Sequence, residues 1–203
     1  MTAWRPIALA RDVAPGTAAP VLVEGREIVV WRGAGGGVRV WEDRCPHRGM
    51  RLSFGFVRGE ELVCLYHGWR WGADAGCTAI PAHPDLVPPK TLCASAYPAC
   101  EHGGIVWMAD GGEPAEPPDA PPDAVPVATL LVERDGREVA DRLGATGPLV
   151  EREHLTIALH PFAPGRTLLH VLARLAEDTR EARRAALLQA ERLRRDLETE
   201  DAR

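Results

Sequence analysis

Along the first half of the chain, short apolar runs alternate with glycine-, proline- and charge-rich turns. Val21-Leu22-Val23 leads into a turn at Glu24-Gly25-Arg26. A second run covers 27–32, a glycine loop covers 33–37, and 38–42 returns as a hairpin partner. Phe56-Val57, Arg58-Gly59-Glu60 and Leu62-Val63 read as strand, turn and strand, and Asp74-Ala75-Gly76 is a turn of the same kind. Residues 96–100 and 105–108 flank a further turn at 101–104. Short strands at this spacing predict a mainly β unit over 1–110, a small barrel or sandwich.

The pattern then changes. Residues 110–126 read DGGEPAEPPDAPPDAVP, with six prolines in seventeen positions, the composition of an extended linker. The linker is set at 111–126, and a small α+β unit follows at 127–203. Residues 127–132 read as a strand. Leu155, Ile157 and Leu159 alternate with His154, Thr156, Ala158 and His160, the period of a half-buried strand. An Ala-Pro-Gly turn and a second strand over 167–174 complete a hairpin at 154–174. Beyond Asp178 the chain is rich in Ala, Leu, Glu and Arg. Ala186, Ala190, Leu193 and Leu197 fall on one stripe of a C-terminal helix.

Composition narrows the function. The 203 residues carry a net charge of −5, so there is no basic footprint for nucleic acid. No apolar run approaches the ~18 residues of a membrane span, and no signal-peptide core is visible. Five cysteines without a secretory signal point to reduced thiols or metal ligands in a cytoplasmic protein.

Two segments carry chemistry, Cys45-Pro46-His47-Arg48-Gly49 and Cys64-Leu65-Tyr66-His67-Gly68-Trp69. Each offers one thiolate and one imidazole. A Cys₂His₂ set can bind zinc, but zinc sites usually pair like with like along the chain. Here the pairs are mixed, C-x-H and C-x₂-H, which suits a two-iron cluster. The segments resemble the Rieske [2Fe–2S] signature. The resemblance implies that Cys45 and Cys64 hold one iron, and His47 and His67 the other. Gly49 and Gly68 would let the backbone approach the cluster. Imidazoles in place of two thiolates raise the potential to about −150 to +300 mV.

Respiratory Rieske proteins add a cysteine to each loop; Met50 and Tyr66 occupy those places here. The sequence is instead similar to the N-terminal domain of Rieske non-haem iron oxygenases. Trp4, Pro6, Glu42-Asp43-Arg44, Ile80-Pro81, Tyr97-Pro98 and Val106-Trp107 extend the resemblance over about residues 3–110.

A complete oxygenase of that family adds a mononuclear iron on two histidines and a carboxylate. Residues 127–203 offer Glu151, His154 and His160, an echo of the pattern, but on a strand and without chain for the late carboxylate. A mononuclear Fe(II) is therefore not expected. His154 and His160 share a strand face, and His170 joins it if residue 158 pairs with 170. That face is expected to be a polar outer surface, with Leu155, Ile157 and Leu159 packed under the helix. The tail resembles the last two strands and C-terminal helix of a START-like helix-grip fold, which leaves two readings: a reduced remnant of a catalytic domain, or an unrelated dimerisation or docking element. It has too little core to stand alone, and is expected to pack on the Rieske unit, a second copy or a partner.

The remaining candidates have plain readings. Cys77, Cys93 and Cys100 are expected as buried free thiols, and His83 and His102 as solvated. Trp69 and Trp71 are expected to pack around the cluster loop. Arg48 would steer an acidic partner or pair with Asp43. The leading expectation is an oxidoreductase component. It passes single electrons from a flavin or ferredoxin reductase to an oxygenase subunit, with homo-oligomerisation left open. The alternatives are a compact terminal mono- or dioxygenase, hydroxylating or demethylating a small substrate, and a redox-sensing or structural subunit.

Overall fold

The structure is a computed structural model that describes residues 4–111 and 121–199. The N-terminal half forms β1 (Trp4–Leu9), β2 (Thr17–Val23), β3 (Arg26–Arg32), β4 (Val38–Glu42), β5 (Phe56–Arg58) and β6 (Glu61–Val63). It continues with β7 (Arg70–Trp71), β8 (Cys77–Ala79), β9 (Ala96–Tyr97), β10 (Ala99–His102) and β11 (Ile105–Ala109). These make antiparallel sheets ordered β2-β3-β4-β9, β1-β11-β10 and β5-β6-β7-β8. Among the described residues the sheets stack open, as in a sandwich, and none closes into a barrel. The β2–β3 turn places Glu24 and Gly25 at φ 52° and 78°, the primed geometry that matches strand twist.

The unbroken apolar run of β3 is explained by burial on both faces. Ile28 and Val30 join Ile7, Val40, Val106 and Met108 on one side. Val29 and Trp31 join Trp41, Leu52, Leu62 and Trp71 on the other, where Cys45 and Cys64 also lie. One strand therefore serves two cores, and the second supports the Cys/His loops. β11 repeats the device. Val106 and Met108 face the first core, whereas Ile105 and Trp107 pack on Ala158 and Leu172 of the C-terminal half.

That half contains β12 (Ala124–Val132), α1 (Gly136–Leu143), β13 (Leu149–Arg152), β14 (Leu155–Ala163), β15 (Arg166–Arg174) and α2 (Arg180–Glu198). Its antiparallel sheet is ordered β12-β15-β14-β13. The expected hairpin is β14–β15, with Ala158 opposite His170. Leu155, Ile157 and Leu159 pack with Ala186, Ala190 and Leu197 of α2, as their alternation requires. Thr179 caps α2, its side chain accepting from the Ala182 N–H at 3.1 Å.

In this half two elements, α1 and β13, were not foreseen from the sequence. α1 has legible ends all the same: Asp135 accepts from the Arg137 N–H at 3.0 Å, and Gly144 closes it at φ 60°. Residues 112–120 of the expected linker lie outside the described residues. At its far end β12 starts at Ala124 rather than at 127, because Ala124 and Val125 already pair with Arg174 and Ala173.

The tail packs on the N-terminal half. Leu9, Ile105, Trp107, Ala158 and Leu172 form one apolar cluster across the junction. The β2–β3 turn donates Glu24 and Gly25 N–H groups to the Pro161 and Phe162 carbonyls, at 2.8 and 2.9 Å. The Arg11 guanidinium donates to the Pro126 and Val127 carbonyls at 2.6 and 2.8 Å. Among the described residues, no helix is long and apolar enough to cross a membrane.

Candidate metal centre

The two Cys/His segments are loops at one end of the strands that flank the second core. The first leaves β4 and ends in a 3-10 turn at Leu52–Phe54; the second joins β6 to β7. Both fold by the same backbone pattern. Cys45 donates its N–H to the Met50 carbonyl (2.8 Å) and accepts from the Gly49 N–H (2.8 Å). Cys64 donates to the Trp69 carbonyl (2.9 Å) and accepts from the Gly68 N–H (3.0 Å). Each turn closes on a glycine at positive φ, 73° at Gly49 and 70° at Gly68, where a side chain would be strained. At Gly68 a Cβ would also stand 3.2 Å from the Pro81 ring.

Asp43 fastens the first loop. Its carboxylate, buried at 3% exposure, accepts from the Ser53 N–H at 2.7 Å and the Ser53 hydroxyl at 2.6 Å. Both oxygens are thus committed inward to Ser53, so Asp43 is not the partner foreseen for Arg48. The hydrogen-bonding role of Asp43 and Ser53 escaped the sequence reading, because only the fold brings the two together.

Folding converts the mixed pairs of the sequence into like pairs in space. Cys45 and Cys64 are buried side by side, and their thiols interact. His47 and His67 meet edge to face, ring centroids 4.8 Å apart, the first half-buried and the second exposed. Burial pushes the Cys45 thiol up to about 11, and Cys64 adds to the rise. The His47 and Arg48 backbone N–H groups bond the same sulfur and oppose it. Burial and the neighbouring His67 lower the basicity of His47. Among the described residues, no three His, Cys, Asp or Glu side chains converge as they would around one ion. One tetrahedral zinc needs such convergence. A cluster of two irons needs a sulfur pair on one side and a nitrogen pair on the other, and this donor set fits it.

Aromatic rings border the imidazoles. Trp69 stacks on His47 at 4.2 Å with an interplanar angle of 8°. Tyr66 lies 3.8 Å from His67. Trp69 leans on the fully buried Trp71 at 6.0 Å. The expected packing of both tryptophans around the loop is observed.

Among the described residues, the structure does not bring Glu151, His154 and His160 together. Glu151 pairs with Arg174 at 3.1 Å, and His154 lies in the β13–β14 turn. His160 and His170 share a face, but that face is not an outer surface. Both are buried, at 0% and 2% exposure, because the N-terminal half covers this side of the sheet. His160 Nε2 contacts the Leu22 carbonyl at 2.7 Å and His160 Nδ1 contacts His170 Nε2 at 3.1 Å. His170 Nδ1 contacts the Thr129 hydroxyl at 2.9 Å.

All five cysteines are free. Cys77 and Cys100 are half-buried with thiols raised by burial, but Cys93 is exposed rather than buried. His83 is exposed as expected; His102 is half-buried, its carbonyl accepting from the Trp107 indole at 3.1 Å.

Residues 3–98 match the family model of the Rieske [2Fe-2S] domain. The chain thus carries a Rieske [2Fe–2S] domain of the type found in oxygenase components, with the Rieske cluster as its cofactor. It is 41% identical to Oxidoreductase NdmD of Pseudomonas putida over 115 residues, covering 56% of this chain and 20% of that protein. It is 34% identical over 110 residues to the 3-chlorobenzoate-3,4-dioxygenase oxygenase subunit of Comamonas testosteroni, covering 53% of this chain and 26% of that one. The chain therefore spans between a fifth and about a quarter of the length of these curated relatives. The crystal structure of apo dicamba monooxygenase shares the fold, with a TM-score of 0.80 at 18% identity, over 97% of this chain and 84% of that one.

Proposed function

We propose that this chain is a one-electron transfer component of a Rieske-type oxygenase system. In this reading Cys45 and Cys64 hold one iron, and His47 and His67 hold the other. The bound cluster supplies reversible one-electron chemistry at a mild potential. The observation that carries the reading is the sorting of the donors: sulfurs paired in the core, imidazoles paired toward the surface. The Cys45 side is insulated by Trp41, Leu52 and Trp71. The exposed His67 gives a partner protein its shortest approach. The partners are one-electron carriers, a flavin or ferredoxin-type reductase on one side and an oxygenase subunit on the other. Cys77, Cys93 and Cys100, which form no disulfide, support a reducing, cytoplasmic setting.

Metal analysis of the purified protein tests this. Two irons and two sulfides per chain, with a Rieske-type EPR signal on reduction, are expected. Cys45→Ser and Cys64→Ser should each abolish the visible spectrum, and an unchanged spectrum would overturn the ligand set. A third iron, lost on the double change His154→Ala and His160→Ala, would favour a compact terminal oxygenase instead.

A further inference from the structure

We infer that Trp69 is a positioning residue for the cluster, holding the His47 imidazole by face-to-face stacking and keeping the reduction potential low. The inference rests on His47 being an iron ligand. Its observations are separate: the near-parallel rings, 8° apart at 4.2 Å, and the contacts that fix Trp69 itself.

Trp69 is held at three points. Its carbonyl accepts the Cys64 N–H at 2.9 Å, so backbone placement is tied to the second loop. Its ring packs into the core that contains both cysteines. Its ring also meets that of Trp71, which is fully buried, at 6.0 Å between centroids. Trp69 therefore belongs to the second loop but rests on the ligand of the first, and it couples the two loops through their side chains. Tyr66 does not match this arrangement. It is 56% exposed, sits beside its own sequence neighbour His67, and is tilted by 30°.

The sign of the effect follows from charge. The oxidised cluster is one unit more positive than the reduced cluster. An electron-rich indole face against the ligand ring favours the more positive state. The same ring occupies space from which water would otherwise stabilise the more negative, reduced state. Both effects lower the potential, so removing the ring raises it. Indole has the strongest face of the aromatic side chains, so tyrosine and phenylalanine should retain part of the effect.

The test is a redox titration of Trp69→Tyr, Trp69→Phe and Trp69→Leu, each loaded with its cluster. The potential should rise in that order, with the Leu variant shifted most. Pulsed EPR of the reduced Leu variant should change one of the two histidine nitrogen couplings and leave the other. Should the Leu variant fail to load, the order among wild type, Tyr and Phe decides. Potentials that do not follow the series while both nitrogen couplings stay at wild-type values overturn the inference. Failure of the ligand assignment is distinguishable, because His47→Ala would then leave both nitrogen couplings intact.

Discussion

Acidification should loosen the junction between the two halves through His160 and His170. The Leu22 carbonyl can only accept, so His160 carries its proton on Nε2 and leaves Nδ1 to accept. His170 must then donate from Nε2, and its Nδ1 accepts the Thr129 hydroxyl proton. All three contacts are satisfied with both rings neutral, whereas with both rings protonated His160 Nδ1 and His170 Nε2 would face each other as donors. Burial holds His160 down to about 4, opposed by its bond to Leu22. Burial, then the neighbouring His160, holds His170 down to about 3. An unfolded histidine titrates near pH 6.5. The native state therefore binds fewer protons than the unfolded state below that value. Stability is complete above about pH 6.5 and declines as pH falls toward 4. Each histidine contributes up to about 1.4 kcal/mol per pH unit in that window. Between pH 7 and pH 4.5 the pair should cost about 5 kcal/mol. Urea unfolding at several pH values measures it. Carboxylates also weaken the fold in acid, so the decisive quantity is the difference between wild type and the double variant His160→Gln and His170→Gln. The variant should lose stability less steeply below pH 6.5. Equal slopes in the two proteins would refute the neutral-pair reasoning.

Three further outcomes are expected. Asp43→Ala leaves the Ser53 N–H and hydroxyl without their acceptor; it should destabilise the protein by about 2 kcal/mol and speed iron loss to a chelator. Leu172→Ala opens the core at the junction and should cost about 2–5 kcal/mol. If the halves form one cooperative unit, cluster absorbance and far-UV circular dichroism should still report coincident unfolding of that variant, and separated transitions would show independent halves. Gly144→Ala forces a Cβ into the left-handed region at the end of α1 and should cost about 1–2 kcal/mol, read as a lower urea midpoint.

Much of the site was legible because its signals are local. C-x-H and C-x₂-H, each followed by glycine, encode two tight turns that close on Gly49 and Gly68. Ligand type and turn geometry sit within six residues of each other, and no distant contact is needed to read them. The β14–β15 hairpin was legible for the same reason, since its turn and its alternating positions are contiguous. The α1 helix was missed although Asp135 and Gly144 mark its ends. Its eight residues bury only Val139 and Leu143, too short a run for two apolar positions to distinguish a helix from a loop.

By itself the sequence determined the donors, the turns that present them, and which side of β14 each residue faces. A period of two puts His160 with Ala158 and Leu159 with Ile157 whatever surrounds the strand. The tertiary structure decided what each face meets. The layer of β1 and β11 covers the side expected to be solvated, so His160 and His170 became a buried, neutral pair rather than surface groups or ligands. It also decided that cysteine stands by cysteine and histidine by histidine, which no spacing within one loop states. The physical reason is common to both. Strand period and turn chemistry act between neighbours in the chain, whereas burial and the sorting of ligands depend on packing between segments distant in sequence.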